Sequence, residues 1–308
     1  MNECQICQSS FASERGLHLH LSKKHSITLA EYYTVYYPRL DRLTNKKLPF
    51  KDKFDYFNID FLNRKNMIKW AQSAPKQEIQ EYILKQLKNI IEQKKLSYAP
   101  CYLEMELRDL PPLDLYRDMF GSYSSACKKL NIKPLFSKKI MKGFFDKSSN
   151  LDNIKIFIDT REQKPLKFNN CSNMKLDFGD YAIGGDLYNY SYVDRKSESD
   201  FKSTMTTGYE RFRREIIRAK AFNAYLFIVV ESNIEKIKKN NIFSPHKSNL
   251  PFVWNRMRLL THEFKGNCQF VFSGNRAQSQ ELIPKVLANG KELWDVDIQY
   301  YLDKYYES

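Results

Sequence analysis

The sequence predicts an α/β protein, a mixed sheet flanked by helices, preceded by a small metal-organised unit and a small helical region. Three observations predict it. Apolar strand-like runs alternate with helical stretches from Ile154 to Leu287. Two cysteines and two histidines stand at ligand spacing within residues 4–25. Between these regions, apolar and aromatic residues recur at helical spacing. With 308 residues, the chain is long enough for two or three compact units.

The first stretch reads Cys4-x₂-Cys7-x₃-Phe11-x₅-Leu17-x₂-His20-x₄-His25. Two thiolates from a hairpin and two imidazoles from a helix make a closed tetrahedral Zn²⁺ site, and Phe11 and Leu17 supply a miniature core. This is the spacing of a zinc finger, placed at residues 1–28, with Cys4, Cys7, His20 and His25 as ligands and His18 as an exposed neighbour. Counting His20 as helix position 7, the usual base-reading positions fall on Ser13, Gly16 and Leu19, which cannot form bidentate base pairs. Arg15 is the residue left to contact DNA, so the expectation is a docking or phosphate-contacting finger.

Residues 29–95 read as a helical, basic, DNA-targeting region. Leu29–Pro38 and Phe57–Trp70 are short helices with aromatic faces, separated by a basic loop around Lys46, Lys47, Lys51 and Lys53. The aromatics read as packing residues. Ile79, Ile83, Leu87, Ile90 and Ile91 then make one face of an amphipathic helix over 77–95. In residues 96–137, Ser97-Tyr-Ala-Pro100, Phe120-Gly121-Ser122-Tyr123-Ser-Ser-Ala126 and Leu130-Asn-Ile132 resemble the helical repeats found beside homing endonucleases. That resemblance implies a helix-turn-helix-like DNA contact. Residues 138–151, rich in Lys, Ser and Gly, read as a linker.

From Ile154 the acids gather. Ile154-Lys-Ile-Phe-Ile-Asp159-Thr-Arg161-Glu162 is followed by Leu176-Asp-Phe-Gly179-Asp180-Tyr181 and by Tyr192-Val193-Asp194-Arg195-Lys196-Ser-Glu-Ser-Asp200. Side chains alternate across a strand, so Asp194 and Lys196 share one face and Arg195 takes the other. Asp180, expected at the end of the preceding strand, brings a second carboxylate to that face. Two close carboxylates are the oxygen ligand set that Mg²⁺ or Mn²⁺ prefers, and without a cation their repulsion is costly. Such a metal polarises a phosphodiester and lowers the pKa of water, with Lys196 orienting water or stabilising charge.

These clusters resemble the nuclease domain of the XPF-type structure-specific endonucleases, whose signature is Gly-Asp, a gap, Glu-Arg-Lys, three residues and Asp. Here it stands as Gly179-Asp180, Asp194-Arg195-Lys196 and Asp200, with Asp for Glu at 194. The upstream strand of that family is matched by Ile158-Asp159-Thr160-Arg161-Glu162. The resemblance implies a restriction-endonuclease-like fold over residues 152–308. It also implies catalytic roles for Asp159, Glu162, Asp180, Asp194, Lys196 and Asp200, with Mg²⁺ or Mn²⁺ on Asp180 and Asp194. Such domains commonly pair, which makes a homodimer one expectation. Many continue into paired helix-hairpin-helix units, for which this chain has no room, so DNA grip is expected from the N-terminal half or a partner.

Downstream, Glu210–Phe222 reads as a helix whose Arg211, Arg214 and Arg218 form a phosphate-gripping stripe, and Arg161 is a further DNA contact. Strands over Ala224–Val230 and Cys268–Phe272 alternate with helices over Leu250–Phe264 and Arg276–Leu287. Glu231 ends its strand and could approach the site, but a surface role is the expectation.

The formal net charge of +14 points to a polyanionic partner, DNA. Residues 1–150 hold 26 Lys and Arg against 16 Asp and Glu, while 151–308 hold 24 against 20. That division suits a targeting half and a cutting half. The opening residues lack the apolar core of a secretory leader, six cysteines then indicate a reducing compartment, and no apolar run approaches a membrane span. The location expected is cytoplasmic and nucleoid-associated in a phage or bacterial setting, and nuclear in a eukaryotic one. The reading is a metal-dependent DNA endonuclease, a phosphodiester hydrolase, of homing type on the helical-repeat resemblance alone. A structure-specific flap, fork or junction endonuclease is the alternative in the same class. A catalytically inactive DNA-binding protein is the alternative in another.

Overall fold

Residues 2–40, 47–48, 64–145, 151, 154–245 and 247–305 are described by the structure, a computed structural model. They fall into two units, one of residues 1–90 with 109–122 and the other of residues 91–108 with 123–308.

The first unit begins with a hairpin of β1 (Asn2–Glu3) and β2 (Ser10–Phe11), followed by α1 (Glu14–His25). Ser13 caps this helix, its hydroxyl accepting the Gly16 N–H at 3.2 Å. Helix α2 (Leu29–Tyr36) starts at a capping box in which Thr28 and Glu31 satisfy each other's backbone N–H groups. Its Tyr32 is fully buried in one cluster with Cys4, Leu17 and Leu21. The Tyr32 hydroxyl accepts the Gln5 N–H at 2.8 Å. Tyr32, and Tyr33 in part, thus pack on α1 and the segment around Cys4, whereas Tyr36 and Tyr37, expected to pack, are exposed. His18, expected to be exposed, is half-buried against the Tyr33 hydroxyl at 3.3 Å, because α2 covers that side of α1.

A short pair, β3 (Arg39–Leu40) with β4 (Lys47–Leu48), leads to α3 (Arg64–Ala71) and α4 (Lys76–Lys94). The apolar stripe of α4 is buried as its periodicity predicts, at Ile79, Ile83, Leu87 and Ile90. The first part of the helix expected over Phe57–Trp70 lies outside the described residues, as do Lys46, Lys51, Lys53 and residues 146–150 of the linker. After α5 (Tyr102–Leu107), which belongs to the second unit, α6 (Leu113–Phe120) returns to the first. There the buried Tyr116 donates to the Ile83 carbonyl at 2.9 Å, and Gly121, at φ +78, ends the helix in the left-handed region.

The second unit is a six-stranded mixed sheet flanked by helices, so the α/β class read from the sequence is the class observed, in an arrangement compatible with the restriction-endonuclease-like fold. After α7 (Tyr123–Lys129) come β5 (Ile156–Asp159), β6 (Cys171–Met174), β7 (Tyr181–Ile183) and β8 (Ser191–Lys196). Then follow α8 (Glu198–Met205), α9 (Tyr209–Ala221), β9 (Tyr225–Val230), α10 (Ile234–Phe243) and α11 (Leu250–Glu263). Strand β10 (Cys268–Phe272), α12 (Arg276–Asn289) and α13 (Ile298–Tyr305) complete the unit. The strand order is β10-β9-β8-β7-β5-β6, with β7 antiparallel to both neighbours and the other pairings parallel.

All six residues of β9 are buried, and alternation sorts them by face. Leu226, Ile228 and Val230 join Phe201, Phe212, Ile216 and Met257 from α8, α9 and α11. Tyr225, Phe227 and Val229 join Ile283, Val286 and Ile298 from α12 and α13 on the other side. Each such side chain stabilises the sandwich by about 1.5–3 kcal/mol. Among the described residues, no helix is long and apolar enough to cross a membrane.

Segments N-terminal to the sheet share this core. Cys101, Leu103 and Leu135 belong to the cluster on the α9 side, and Phe145 to the one on the α12 side. Residues expected in the linker pair with the unit's C-terminal part: the Lys138 N–H donates to the Asp295 carbonyl at 2.9 Å and the Ile140 N–H to the Tyr301 hydroxyl at 3.0 Å. Glu104, 4% exposed, fastens α5 to α11 by accepting from His262 Nε2 at 2.6 Å beside Arg258 Nε at 3.8 Å. Glu104→Ala leaves the buried Arg258 guanidinium without this carboxylate, and should lower the unit's stability by about 3 kcal/mol in urea unfolding. A change below about 1 kcal/mol would show that water replaces the carboxylate.

Candidate metal centre and catalytic face

Register sets the geometry of the acids. Strand β7 runs against β8 with Tyr181 opposite Val193, so the position before β7 lies beside Asp194. Asp180 occupies it. The sequence reading set Asp180 at the end of the preceding strand, whereas it stands just before β7, because an antiparallel strand begins where its neighbour ends. The Asp180 N–H donates to the Val193 carbonyl at 2.7 Å, and the Asp180 carboxylate accepts the Arg195 N–H at 2.7 Å. On the other side the Asp159 N–H donates to the Asp180 carbonyl at 2.8 Å, so Asp159, Asp180 and Asp194 stand in a row across three strands.

Gly179 makes this row possible. Its φ is +59, and a Cβ there would lie 2.8 Å from the Val193 carbonyl oxygen. Only glycine lets the turn press so closely on β8.

Asp194 and Lys196 share a face, as the alternation predicted, and the ammonium donates to Asp194 Oδ1 at 2.9 Å. Both are well shielded, with side chains 7% and 13% exposed. The Phe212 ring of α9 lies 4.9 Å from Lys196 Nζ. Burial pushes the Asp180 carboxyl up to about 8, helped by the negative charge of Asp194. Burial opposes the Lys196 charge, but Asp194 and then Asp180 outweigh it and raise its pKa.

The other expected acids are engaged elsewhere. The Asp159 carboxylate accepts the Leu176 N–H at 2.7 Å and a two-pronged pair from Arg161, at 2.7 and 3.0 Å, so it ties the segment between β6 and β7 to the end of β5. Burial opposes the Asp159 charge, but Arg161 and these N–H groups outweigh it and lower its pKa. Arg161, expected to contact DNA, is held by Asp159 and the Leu176 carbonyl. Glu162 lies with Arg195 at 3.1 Å, and Arg195 reaches Glu231 at 2.9 Å. Arg276 in turn contacts Glu231 at 3.2 Å. Asp200, in the first turn of α8, accepts from the hydroxyl of the capping Ser197 at 2.6 Å and donates its N–H to that hydroxyl at 3.2 Å.

The sequence reading placed one acid at the surface and missed another. Glu231, expected at the surface, is only 10% exposed, because Arg195 on the α12 face of β8 requires a second carboxylate. Glu215 of α9 accepts the Gly179 N–H at 3.3 Å, and burial followed by Asp194 raises its pKa. Its signal lay in the helical period, which puts Glu215 one turn from Phe212 on the inward side. Arg211, Arg214 and Arg218 are exposed on the same helix.

In the first unit, Cys4, Cys7, His20 and His25 bring one ligand atom each within 4.8 Å of one another. Cys7 Sγ stands 3.2 Å from His20 Nε2 and 3.3 Å from His25 Nε2, and the two imidazole nitrogens are 3.1 Å apart. Arms of about 2.0–2.3 Å give tetrahedral edges of about 3.3–3.8 Å, and these contacts, with Cys4 Sγ 3.5 Å from His25 Nε2, come close to them, so two thiols and two imidazoles are a donor set suited to a four-coordinate metal. Contacts from the Ser9 hydroxyl and N–H, then from His25, hold the Cys7 thiol down to about 5, towards the thiolate a metal binds. Arg15 is exposed on α1.

No protein-family model matches the chain, and no curated protein sequence does. Among solved structures it is similar to XPF from Aeropyrum pernix in complex with DNA, at 17% identity and a TM-score of 0.34, over 44% of this chain and 64% of that one. It is also similar to XPF from Aeropyrum pernix, at 16% identity and a TM-score of 0.33, over 45% of this chain and 67% of that one. The chain thus spans just under two thirds of the length of the first of these structures.

Proposed function

We propose that the chain is a metal-dependent DNA endonuclease. The observation that carries the reading is the opposition of Asp180 and Asp194 across β7 and β8, with Lys196 on the same face. Asp180 and Asp194 would hold Mg²⁺ or Mn²⁺. Such a cation supplies Lewis acidity towards a phosphodiester oxygen and a lower pKa for water. Lys196 Nζ stabilises negative charge growing on the phosphate, since a buried ammonium acts there without screening by water. Asp159, Glu162, Arg195 and Glu231 keep the strand ends in place through their ion pairs.

Arg211, Arg214 and Arg218 grip phosphates along α9, and Arg15 adds one contact from the finger, whose ligand set would hold Zn²⁺. One hydrolytic centre per chain cuts one strand, so a single chain nicks a duplex and a paired chain breaks both strands. The resemblance of residues 96–137 to the helical repeats found beside homing endonucleases supports, as a second reading, a site-directed, homing-type enzyme over a structure-specific one. The test is supercoiled plasmid with Mg²⁺, Mn²⁺ or a chelator. Nicked or linear product with either cation and none with chelator is expected. Intact plasmid, with DNA still bound, would replace the reading by a DNA-binding protein without chemistry.

A further inference from the structure

Helix α9 has two differently used sides. Tyr209, Phe212, Ile216 and Ala219 are buried, while Arg211, Arg214 and Arg218 face outward. Glu215 falls at the border, half-buried and three residues after Phe212. Its Oε1 accepts the N–H of Gly179, which lies 36 residues away in the chain. That turn is already tied to β8 by the Asp180 N–H and the Asp180 carboxylate. Glu215 ties it to a helix as well.

Phe212 and Glu215 thus touch two parts of the candidate centre, the Lys196 ammonium and the Gly179–Asp180 turn. Phe212 lies under the Lys196 ammonium, at the end of a flexible four-carbon stem. Glu215 holds the Gly179–Asp180 turn, whose carboxylate needs a defined distance to Asp194. We propose that Glu215 is a positioning residue, fixing this turn to α9 so that the exposed arginines and the Asp180–Asp194 pair move as one body. The proposal rests on the endonuclease reading and deepens it. Phosphates seated on Arg211, Arg214 and Arg218 are thereby set at a fixed distance from the carboxylates, the condition for a productive approach.

Two variants separate the hydrogen bond from the charge. Glu215→Gln keeps an acceptor for the Gly179 N–H, and Glu215→Ala removes it. Amide hydrogen exchange at Gly179, read in the metal-free protein, should quicken about 10-fold in the Ala variant and stay within about threefold of the native rate in the Gln variant. In plasmid cleavage, kcat should fall about 10-fold or more for Ala with KM for DNA within about twofold, and Gln should restore most of it. Unchanged Gly179 exchange in Glu215→Ala would overturn the proposal. So would a Gln variant as slow in cleavage as Ala, because the charge rather than the hydrogen bond would then be the working part. If the native chain cleaves nothing, the endonuclease reading falls, and the exchange rates still decide whether Glu215 holds the turn.

Discussion

Asp194→Asn or Asp180→Asn should lower Mg²⁺-dependent cleavage by about 10²-fold or more, since even outer partners of metal ligands are worth that much. DNA affinity, measured by fluorescence anisotropy, should change less than about threefold, because the exposed arginines of α9 remain. Asn keeps the size of Asp and an acceptor oxygen, so the fold is preserved while the ligand charge is lost.

Asp180→Asn carries a second readout. In the metal-free chain the Asp180 carboxyl is pushed up to about 8 by burial and by Asp194, with Lys196 and the more distant Glu162 also acting on it. A group whose folded pKa is raised stabilises the fold fully below its unfolded value of about 4. That contribution is lost as pH rises through the folded value. The native chain in chelator should therefore lose thermal stability from about pH 4 to about pH 8, and Mg²⁺ should restore it at the upper end. Asp180→Asn should flatten both effects. A native Tm that rises over that range would contradict the repulsion read between Asp180 and Asp194.

The second large effect concerns the N-terminal unit. Cys7→Ser, or stripping metal with a strong chelator, should unfold residues 2–37, because a core of Cys4, Leu17, Leu21 and Tyr32 is too small to stand without about 10–16 kcal/mol of metal binding. Metal analysis should find about one zinc per native chain and almost none in Cys7→Ser. Circular dichroism should lose the helices α1 and α2 together, since Tyr32 of α2 sits in the core that the metal closes. The sheet of the second unit should melt as before. A native chain free of zinc whose α1 and α2 remain helical would show that packing alone holds this unit.

What the sequence made legible was local. The clustering of Cys4, Cys7, His20 and His25 was readable because these four residues within residues 4–25 carry the whole signal. The α/β sandwich was readable because β9 and β10 are continuous apolar runs, buried on both faces. Asp194 and Lys196 on one face and Arg195 on the other followed from strand alternation. What could not be read depends on which elements become neighbours. Asp159 and Glu162 look like free acids in the chain, and only the folded sheet gives them Arg161 and Arg195. Glu231 looked like a surface acid until β8 brought Arg195 beside it. Glu215 reaches Gly179 only once α9 packs on the sheet. Composition marked residues 138–151 as a linker, but it carries no record of Lys138 and Ile140 pairing with Asp295 and Tyr301.

The most direct measurement is cleavage by the native chain and by Asp194→Asn, side by side in Mg²⁺, of supercoiled plasmid, linear duplex and a 5′-labelled flap substrate. A metal-dependent phosphodiesterase centred on Asp180, Asp194 and Lys196 requires cleavage of at least one substrate by the native chain, loss of that cleavage in chelator, and loss of it in Asp194→Asn with binding retained. Preference for a particular duplex sequence would mark homing-type targeting, and preference for the flap would mark recognition of structure. Equal cleavage by the native chain and Asp194→Asn would contradict the assignment of this face as the hydrolytic centre.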